Sequence, residues 1–326
     1  MLRRFFKSSI ISLSRAAWAQ RMVSDWGVAR QAASRFIAGE RLDQAVAAIE
    51  HLNERGIAAT LDHLGENTTH GEAAREAAKE VVRALEAIDR AGLRANVSIK
   101  LSQLGLLLDE SLCRENLEMI LRRAGELGNF IRIDMEDSSL TGKTLQIWEW
   151  AHSPGGLGFD SVGIVIQAYL YRSHEDICRI LESGGRVRLC KGAYDEPESV
   201  AFPQKKDVDA NFDRLATLLL EGALKAGSPQ ISTDGRVPPI AAVATHDELR
   251  IRHAQEEIRR LDLPKGAMEF QMLYGIRRDM QEQLAGQGYP VRVYVPYGTH
   301  WYPYFMRRLA ERPANAWFFL SNLIRK

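Results

Sequence analysis

The sequence predicts a single (β/α)8 TIM barrel preceded by N-terminal helices, and three observations carry that expectation. Eight short β-type runs alternate with eight longer helix-forming stretches after residue 56; such alternation signals a parallel sheet, and eight units close naturally into a barrel. The fourth run, Val-Gly-Ile-Val-Ile-Gln at 162–167, is continuous and β-branched, as a strand covered on both faces should be. No GxGxxG or GxxxxGK(S/T) loop follows any run, which counts against a doubly wound sheet. The length of 326 residues suits one such barrel, since these domains routinely exceed about two hundred residues.

The elements follow in order. Residues 1–55 read as a helical segment packing on the barrel, with the helix formers of 43–50 ending near Gly56. Residues 56–326 form the barrel. Its strands are expected at 57–62, 95–100, 130–135, 162–167, 186–190, 239–244, 269–273 and 291–295. The helices behind them are expected at 72–91, 110–127, 141–151, 174–182, 208–226, 247–261 and 276–285, with a closing helix from near Pro303 lying over the barrel mouth. Gly155-Gly156-Leu157-Gly158 precedes a strand instead of following one, so it is a loop and not a nucleotide fingerprint. No unit repeats another, which excludes a solenoid.

Composition narrows the function. Hydrophobic residues are 45% and charged residues 26%, an ordinary globular balance. A formal net charge of +1 argues against a nucleic-acid binder that relies on phosphate electrostatics. Cys113, Cys178 and Cys190 are three, widely and irregularly spaced, which is neither a disulfide framework nor a CxxC motif and suits a reducing compartment. The eight histidines form no HxH or HExxH pair, so no metal site is expected. No run reaches the roughly twenty apolar residues that span a bilayer. Residues 1–24 carry Arg3, Arg4, Lys7, Arg15 and Arg21 and no acid; the segment is similar to a mitochondrial presequence or to a basic helix lying on an anionic membrane, and an ordinary surface helix fits the same residues. Its shortness favours a bacterial cytoplasmic protein.

In a barrel of this kind the chemistry sits at the C-terminal ends of the strands. Those ends are polar here: Asp62, Lys100, Asp134, Gln167, Lys191, Thr245 with His246, Gln271 and Tyr294. Any one of them is ordinarily a cap for the next helix; eight converging on one mouth suggest a site. Lys100 and Lys191 leave a Schiff-base aldolase open. On the closing helix, Tyr304, Arg307, Arg308 and Glu311 stand at i, i+3, i+4 and i+7 and so share one face. A solvated face explains such charges on an isolated helix. On a helix that begins just after the eighth strand, two adjacent guanidiniums make a fork matched to a carboxylate, with Glu311 able to brace one of them.

Six segments in the same order carry a resemblance. Ser98-Ile99-Lys100-Leu101-Ser102, Val187-Arg188-Leu189-Cys190-Lys191-Gly192-Ala193-Tyr194, Ala244-Thr245-His246, Glu269-Phe270-Gln271, Tyr294-Val295-Pro296-Tyr297-Gly298-Thr299-His300 and Arg307-Arg308-Leu309-Ala310-Glu311 resemble proline dehydrogenases, of the monofunctional bacterial type, from about Ala58 to Glu311. The resemblance implies a non-covalent FAD across the strand ends and oxidation of L-proline to Δ1-pyrroline-5-carboxylate by hydride transfer to flavin N5. It also implies electron delivery to a membrane quinone, as the first step of proline catabolism to glutamate. A separate pyrroline-5-carboxylate dehydrogenase would act downstream, and the enzyme would be cytoplasmic, peripherally associated with the inner face of the membrane.

The resemblance also assigns residues. Asp134 and Arg188 are catalytic. Lys100, Arg307 and Arg308 bind the substrate carboxylate, while Leu273, Tyr294 and Tyr304 enclose the ring. Asp134, Met135, Gln167, Arg188, Lys191, Gly192, Ala193, Thr245, His246, Gln271 and Glu311 surround the flavin. Glu66 pairs with Arg307 as a gate. Tyr304 stands where hydroxyproline-preferring relatives carry a smaller residue. Cys190 replaces a more usual aliphatic residue, and Lys205-Lys206 align too loosely with a phosphate-contacting segment to be assigned.

These residue types suit the reaction. Removing hydride from the carbon beside a ring nitrogen leaves positive charge there and negative charge on the acceptor, which Arg188 would stabilise. Anchoring the carboxylate orients that carbon, and a cation-rich site disfavours a substrate ammonium ion. A Schiff-base aldolase, a non-catalytic amino-acid sensor and another flavin barrel such as methylenetetrahydrofolate reductase are the rival readings. The segment 316–320 with Arg325 and Lys326, and the basic N-terminus, suit membrane contact, and the aromatic run fits packing against the barrel equally well.

Overall fold

A computed structural model describes residues 33–65 and 68–311, the last three of these by backbone alone. The basic segment at 1–24 and the aromatic run at 316–320 lie outside the described residues. After α1 (Leu42–Asn53), eight strands alternate with helices: β1 (Ala58–His63), α2 (Gly71–Arg90), β2 (Ala95–Ile99), α3 (Glu110–Glu126), β3 (Ile131–Ile133), α4 (Ser138–His152), β4 (Val162–Gln167) and α5 (Ser173–Glu182). The second half continues with β5 (Val187–Cys190), α6 (Lys205–Lys225), β6 (Ala241–Ala244), α7 (Glu248–Arg260), β7 (Met268–Leu273), α8 (Arg278–Gly286), β8 (Val291–Tyr297) and α9 (Trp301–Glu311). All strands are parallel, and β8 pairs back onto β1 to close the barrel in the order β1 to β8. The expected fold class is therefore borne out.

Among the boundaries near the mouth, α4 and α6 each begin three residues earlier than expected, at Ser138 and Lys205, and two further differences involve proline. β8 runs on through Pro296 to Tyr297, with Asp62 opposite Pro296; proline offers no N–H to a ladder, which is why the sequence pattern stops at 295. The closing helix starts at Trp301, two residues before Pro303, leaving proline in the first turn, where its missing N–H costs nothing.

Strand residues alternate between two quite different environments. Outward-facing Leu61, Val97, Ile99, Ile131, Ile133, Ile164, Val187, Val243, Phe270 and Val293 are buried against Ala78, Leu85, Ile88, Leu117, Ile120, Phe212 and Leu219 of the surrounding helices. This shell is the hydrophobic core. The intervening residues face the barrel interior, and many are polar yet buried: Thr60, Asp62, Asn96, Ser98, Arg132, Arg188, Glu269, Gln271 and Arg292. Barrels more often fill that space with branched aliphatic side chains. α1 adds Ala45, Ile49 and Leu52 to the shell beside β1 and β8.

Backbone carbonyls anchor several of the interior polar groups. Arg132 gives Nη1 to the carbonyls of Ile164 and Arg186, and its guanidinium lies 5.0 Å from the centre of the Phe130 ring. Burial pushes its pKa well down, aided by the neighbouring Arg188 charge. Asn96 donates to the Arg236 carbonyl at 3.0 Å, tying the loop after α6 to the floor of the barrel. The strands carrying the site are thus fixed from inside by hydrogen bonds and from outside by apolar packing.

Candidate active site

The C-terminal strand ends and α9 enclose a cavity of about 730 Å³, within the range of roughly 300–1,000 Å³ typical of small-molecule sites. The structure brings together on its wall Lys100, Asp134, Met135, Gln167, Arg188, Lys191, Gly192, Ala193, Thr245, His246, Gln271, Leu273, Tyr294, Tyr304, Arg307 and Arg308. Glu66 and the side chain of Glu311, the remaining two expected positions, lie outside the described residues.

Asp134 is the hub. It begins the turn after β3, where its backbone N–H is held by the Ile99 carbonyl at 2.8 Å. One carboxylate oxygen accepts from Arg188 Nη1 at 2.9 Å and the other from the Tyr294 hydroxyl at 2.8 Å. Lys100 Nζ stands 3.6 Å from that second oxygen, 3.3 Å from the Tyr294 hydroxyl, and 3.2 Å from each oxygen of Asp62. Arg188 also donates to Ser98 Oγ at 3.0 Å. Burial, reinforced by the Asp134 and Asp62 carboxylates, pushes the Tyr294 phenol far above its usual pKa, so it stays a hydrogen-bond donor. Tyr294 lies within β8, not at its end, because the strand extends three residues beyond it.

A second ion network forms the opposite wall. Lys191 bridges Asp209 and Asp247, at 2.7 Å from the latter, and Lys205 pairs with the same two carboxylates. Burial works to raise the pKa of Asp247 and Asp209, but hydrogen bonds from Lys191, joined by Lys205 on Asp209, hold both below the ordinary carboxylate value. Asp247 also caps α7 by accepting from the Leu249 N–H at 3.1 Å, so one carboxylate both caps a helix and pairs with Lys191. Beside it, the Leu273 N–H donates to His246 Nε2 at 2.9 Å. That nitrogen is thereby an acceptor, and the neutral ring carries its proton on Nδ1.

Local backbone shapes the rest. Gly192 has φ of 111°, and a Cβ there would stand 2.5 Å from the Tyr169 ring, so no side chain fits between the ring and the cavity. Cys190 faces the cavity, but burial pushes its thiol up to about 12, which leaves it protonated and unreactive. From α9, Arg308 lies 5.2 Å from the centre of the Tyr304 ring, a cation–π contact that orients the guanidinium.

Sequence reasoning missed several residues. Lys205, set aside as loosely aligned, lines the cavity at the start of α6. Tyr194, Asp247, Val165 and Met272 line it too. Asp62 was visible as a polar strand end; its role as the partner of Lys100 was not. The signal available was charge arithmetic: buried lysines at strand ends require nearby carboxylates.

Two buried atoms of this wall, Gln167 Oε1 and Arg188 Nε, have no hydrogen-bond partner among the described residues. Buried polar atoms seldom go unmatched, so an acceptor and a donor are presented here to a ligand. The wall holds Lys100, Arg188, Lys191, Lys205, Arg307 and Arg308 against Asp134 and Asp247, a balance that suits an anionic one.

Comparison with known proteins identifies the family. The proline dehydrogenase family model matches residues 45–320. The chain belongs to the proline dehydrogenase family. Among curated relatives, proline dehydrogenase 1 of Bacillus subtilis (strain 168) is 41% identical over 91% of this chain and 92% of its own. The proline dehydrogenase of Deinococcus radiodurans is 38% identical over the full length of both. Among solved structures, proline utilization A from Bdellovibrio bacteriovorus inactivated by N-propargylglycine superposes with a TM-score of 0.76 at 27% identity, over 86% of this chain and 32% of that one. The chain thus spans about a third of that larger protein. Family membership weighs against the aldolase alternative, as does the site itself. Lys100 and Lys191 are both ion-paired to carboxylates, whereas a Schiff-base lysine needs an unprotonated amine.

Proposed function

We propose that this protein is an FAD-dependent dehydrogenase that oxidises L-proline to Δ1-pyrroline-5-carboxylate and passes the electrons to a membrane quinone. The single observation that carries the reading is the cavity wall. It joins an arginine pair on α9 to a buried Asp134–Arg188–Tyr294–Lys100 cluster, in a chain of the proline dehydrogenase family. FAD suits the residues present: the unmatched Gln167 Oε1 and Arg188 Nε are an acceptor and a donor for a polar ring edge, and Lys191 and Lys205 are cations for its phosphates. When bound, the flavin would supply the hydride acceptor.

The protein's own groups then have distinct tasks. Arg307 and Arg308 hold the substrate carboxylate, with Lys100 completing the grip. Leu273, Tyr294 and Tyr304 enclose the ring and exclude water. Asp134 holds Arg188 on one oxygen and the Tyr294 hydroxyl on the other, so the guanidinium that stabilises developing negative charge is aimed before reaction begins. Because Asp62 and Asp134 already flank Lys100, its charge is partly matched, and the free end of the carboxylate falls chiefly to the arginines. The surplus of cations disfavours an ammonium ion, so the substrate amine reaches its reactive, neutral form more readily. Glu66 facing Arg307 as a gate, and Glu311 as a brace beside the flavin, complete the proposal.

The product would pass to a separate pyrroline-5-carboxylate dehydrogenase, the first step of proline catabolism being this one. Quinone delivery calls for peripheral contact with the inner face of the membrane, for which the basic residues of 1–24 are suited. Among the described residues no helix is long and apolar enough to cross a membrane. The test is to incubate purified protein with L-proline and a soluble quinone analogue. Quinone reduction matched one-to-one by pyrroline-5-carboxylate supports the reading; neither product forming overturns it.

A further inference from the structure

Beneath the cavity, Glu269 and Arg292 form an ion pair with no exposed surface on either side chain. Arg292 Nε lies 3.0 and 3.1 Å from the two carboxylate oxygens of Glu269. Its other two nitrogens donate to the Ala59 carbonyl of β1 at 2.7 Å and the Gly235 carbonyl of the floor loop at 2.8 Å. Glu269 Oε1 accepts one more hydrogen bond, from Gln271 Nε2. Gln271 stands two residues further along β7, opposite Arg292, and lines the cavity.

The chemistry of this chain of contacts is directional. A buried ion pair adds little net stability compared with apolar side chains of the same volume, so stability alone gives no reason for charges here. A carboxylate that faces a guanidinium across both oxygens, as Glu269 faces Arg292, only accepts hydrogen bonds. Gln271 must therefore turn its NH2 inward, leaving its carbonyl oxygen as the group offered to the cavity. We infer that Glu269, held by Arg292, is a positioning residue that sets the polarity of Gln271, making this point of the pocket an acceptor for an N–H on the bound ring system. On the reading that FAD occupies the cavity, the imide N–H of the isoalloxazine is such a donor.

The inference rests on the flavin reading, and a double-mutant cycle separates the two. FAD dissociation constants would be measured by fluorescence quenching on apoprotein for the wild type, Gln271→Met, Glu269→Gln, and the two combined. Glu269→Gln lets one amide face another, so Gln271 is free to turn over. Each single substitution should weaken FAD binding by roughly tenfold, the worth of one buried hydrogen bond. The combination should weaken it no further than Gln271→Met alone, since Glu269 acts only through that amide. Additive losses, or an unchanged constant in Glu269→Gln, would overturn the inference while leaving FAD binding intact. A wild-type apoprotein that takes up no FAD would instead overturn the flavin reading and this inference with it. Where Glu269→Gln fails to fold, the pair is removed as a unit by Glu269→Met with Arg292→Met and placed in the same cycle; additivity there counts against the inference equally.

Discussion

Arg307 and Arg308 are adjacent in sequence and both reach the cavity, a placement legible from helical spacing together with the start of α9 just after the eighth strand. Charge-assisted hydrogen bonds contribute about 1.5–3 kcal/mol each. Arg307→Met and Arg308→Met should therefore each raise the proline KM roughly ten- to a hundredfold, with smaller effects on kcat, in steady-state assays; an unchanged KM in both variants would remove the carboxylate assignment. Tyr304 is buried beneath the Arg308 guanidinium. Cutting it back to serine removes the ring and leaves a hydroxyl close to the backbone, so Tyr304→Ser should shift the ratio of kcat/KM toward hydroxyproline, and an unaltered ratio would count against Tyr304 as part of the ring pocket. What the residue patterns could not reveal were the partners. Asp62 with Lys100, Asp134 with Arg188 and Lys191 with Asp247 are pairs whose members lie on different strands or turns. Only the side-by-side pairing of strands far apart in sequence brings them into contact.

At the scale of elements, the β/α alternation was legible because the outward strand faces and inward helix faces are apolar throughout. The inward strand faces were harder to read. Their polar residues serve each other across the barrel, and local sequence carries no mark of that. Strand β4 shows how tight the interior is. A Cβ on Gly163 would stand 2.6 Å from Arg132 Nη1, 2.6 Å from the Arg186 carbonyl oxygen and 2.7 Å from Phe130. The carbonyl is backbone and the arginine is pinned by two hydrogen bonds, so neither yields cheaply. Gly163→Ala should destabilise the fold by about 1–3 kcal/mol, the usual cost of overpacking, read as a lower denaturant midpoint. A midpoint equal to the wild type would show that β4 relaxes more freely than the packing indicates.

For the whole molecule, one closed sheet serves two purposes. Its outer face makes the hydrophobic core, and its inner face carries a hydrogen-bonded column from the floor loop at Gly235, through Arg292 and Glu269, to Gln271 at the cavity wall. The cavity therefore draws on the ends of β2 to β8 plus α9, and the ordered motifs were informative because they mark those same strand ends. On the proposed function, this cavity holds a flavin which L-proline reduces. Visible absorbance of the purified protein, recorded anaerobically before and after adding L-proline, tests it most directly. Flavin bands that bleach with proline, and return when a quinone analogue is added, are the predicted result. A colourless protein that takes up no FAD, or a yellow one that proline leaves unbleached, would contradict it.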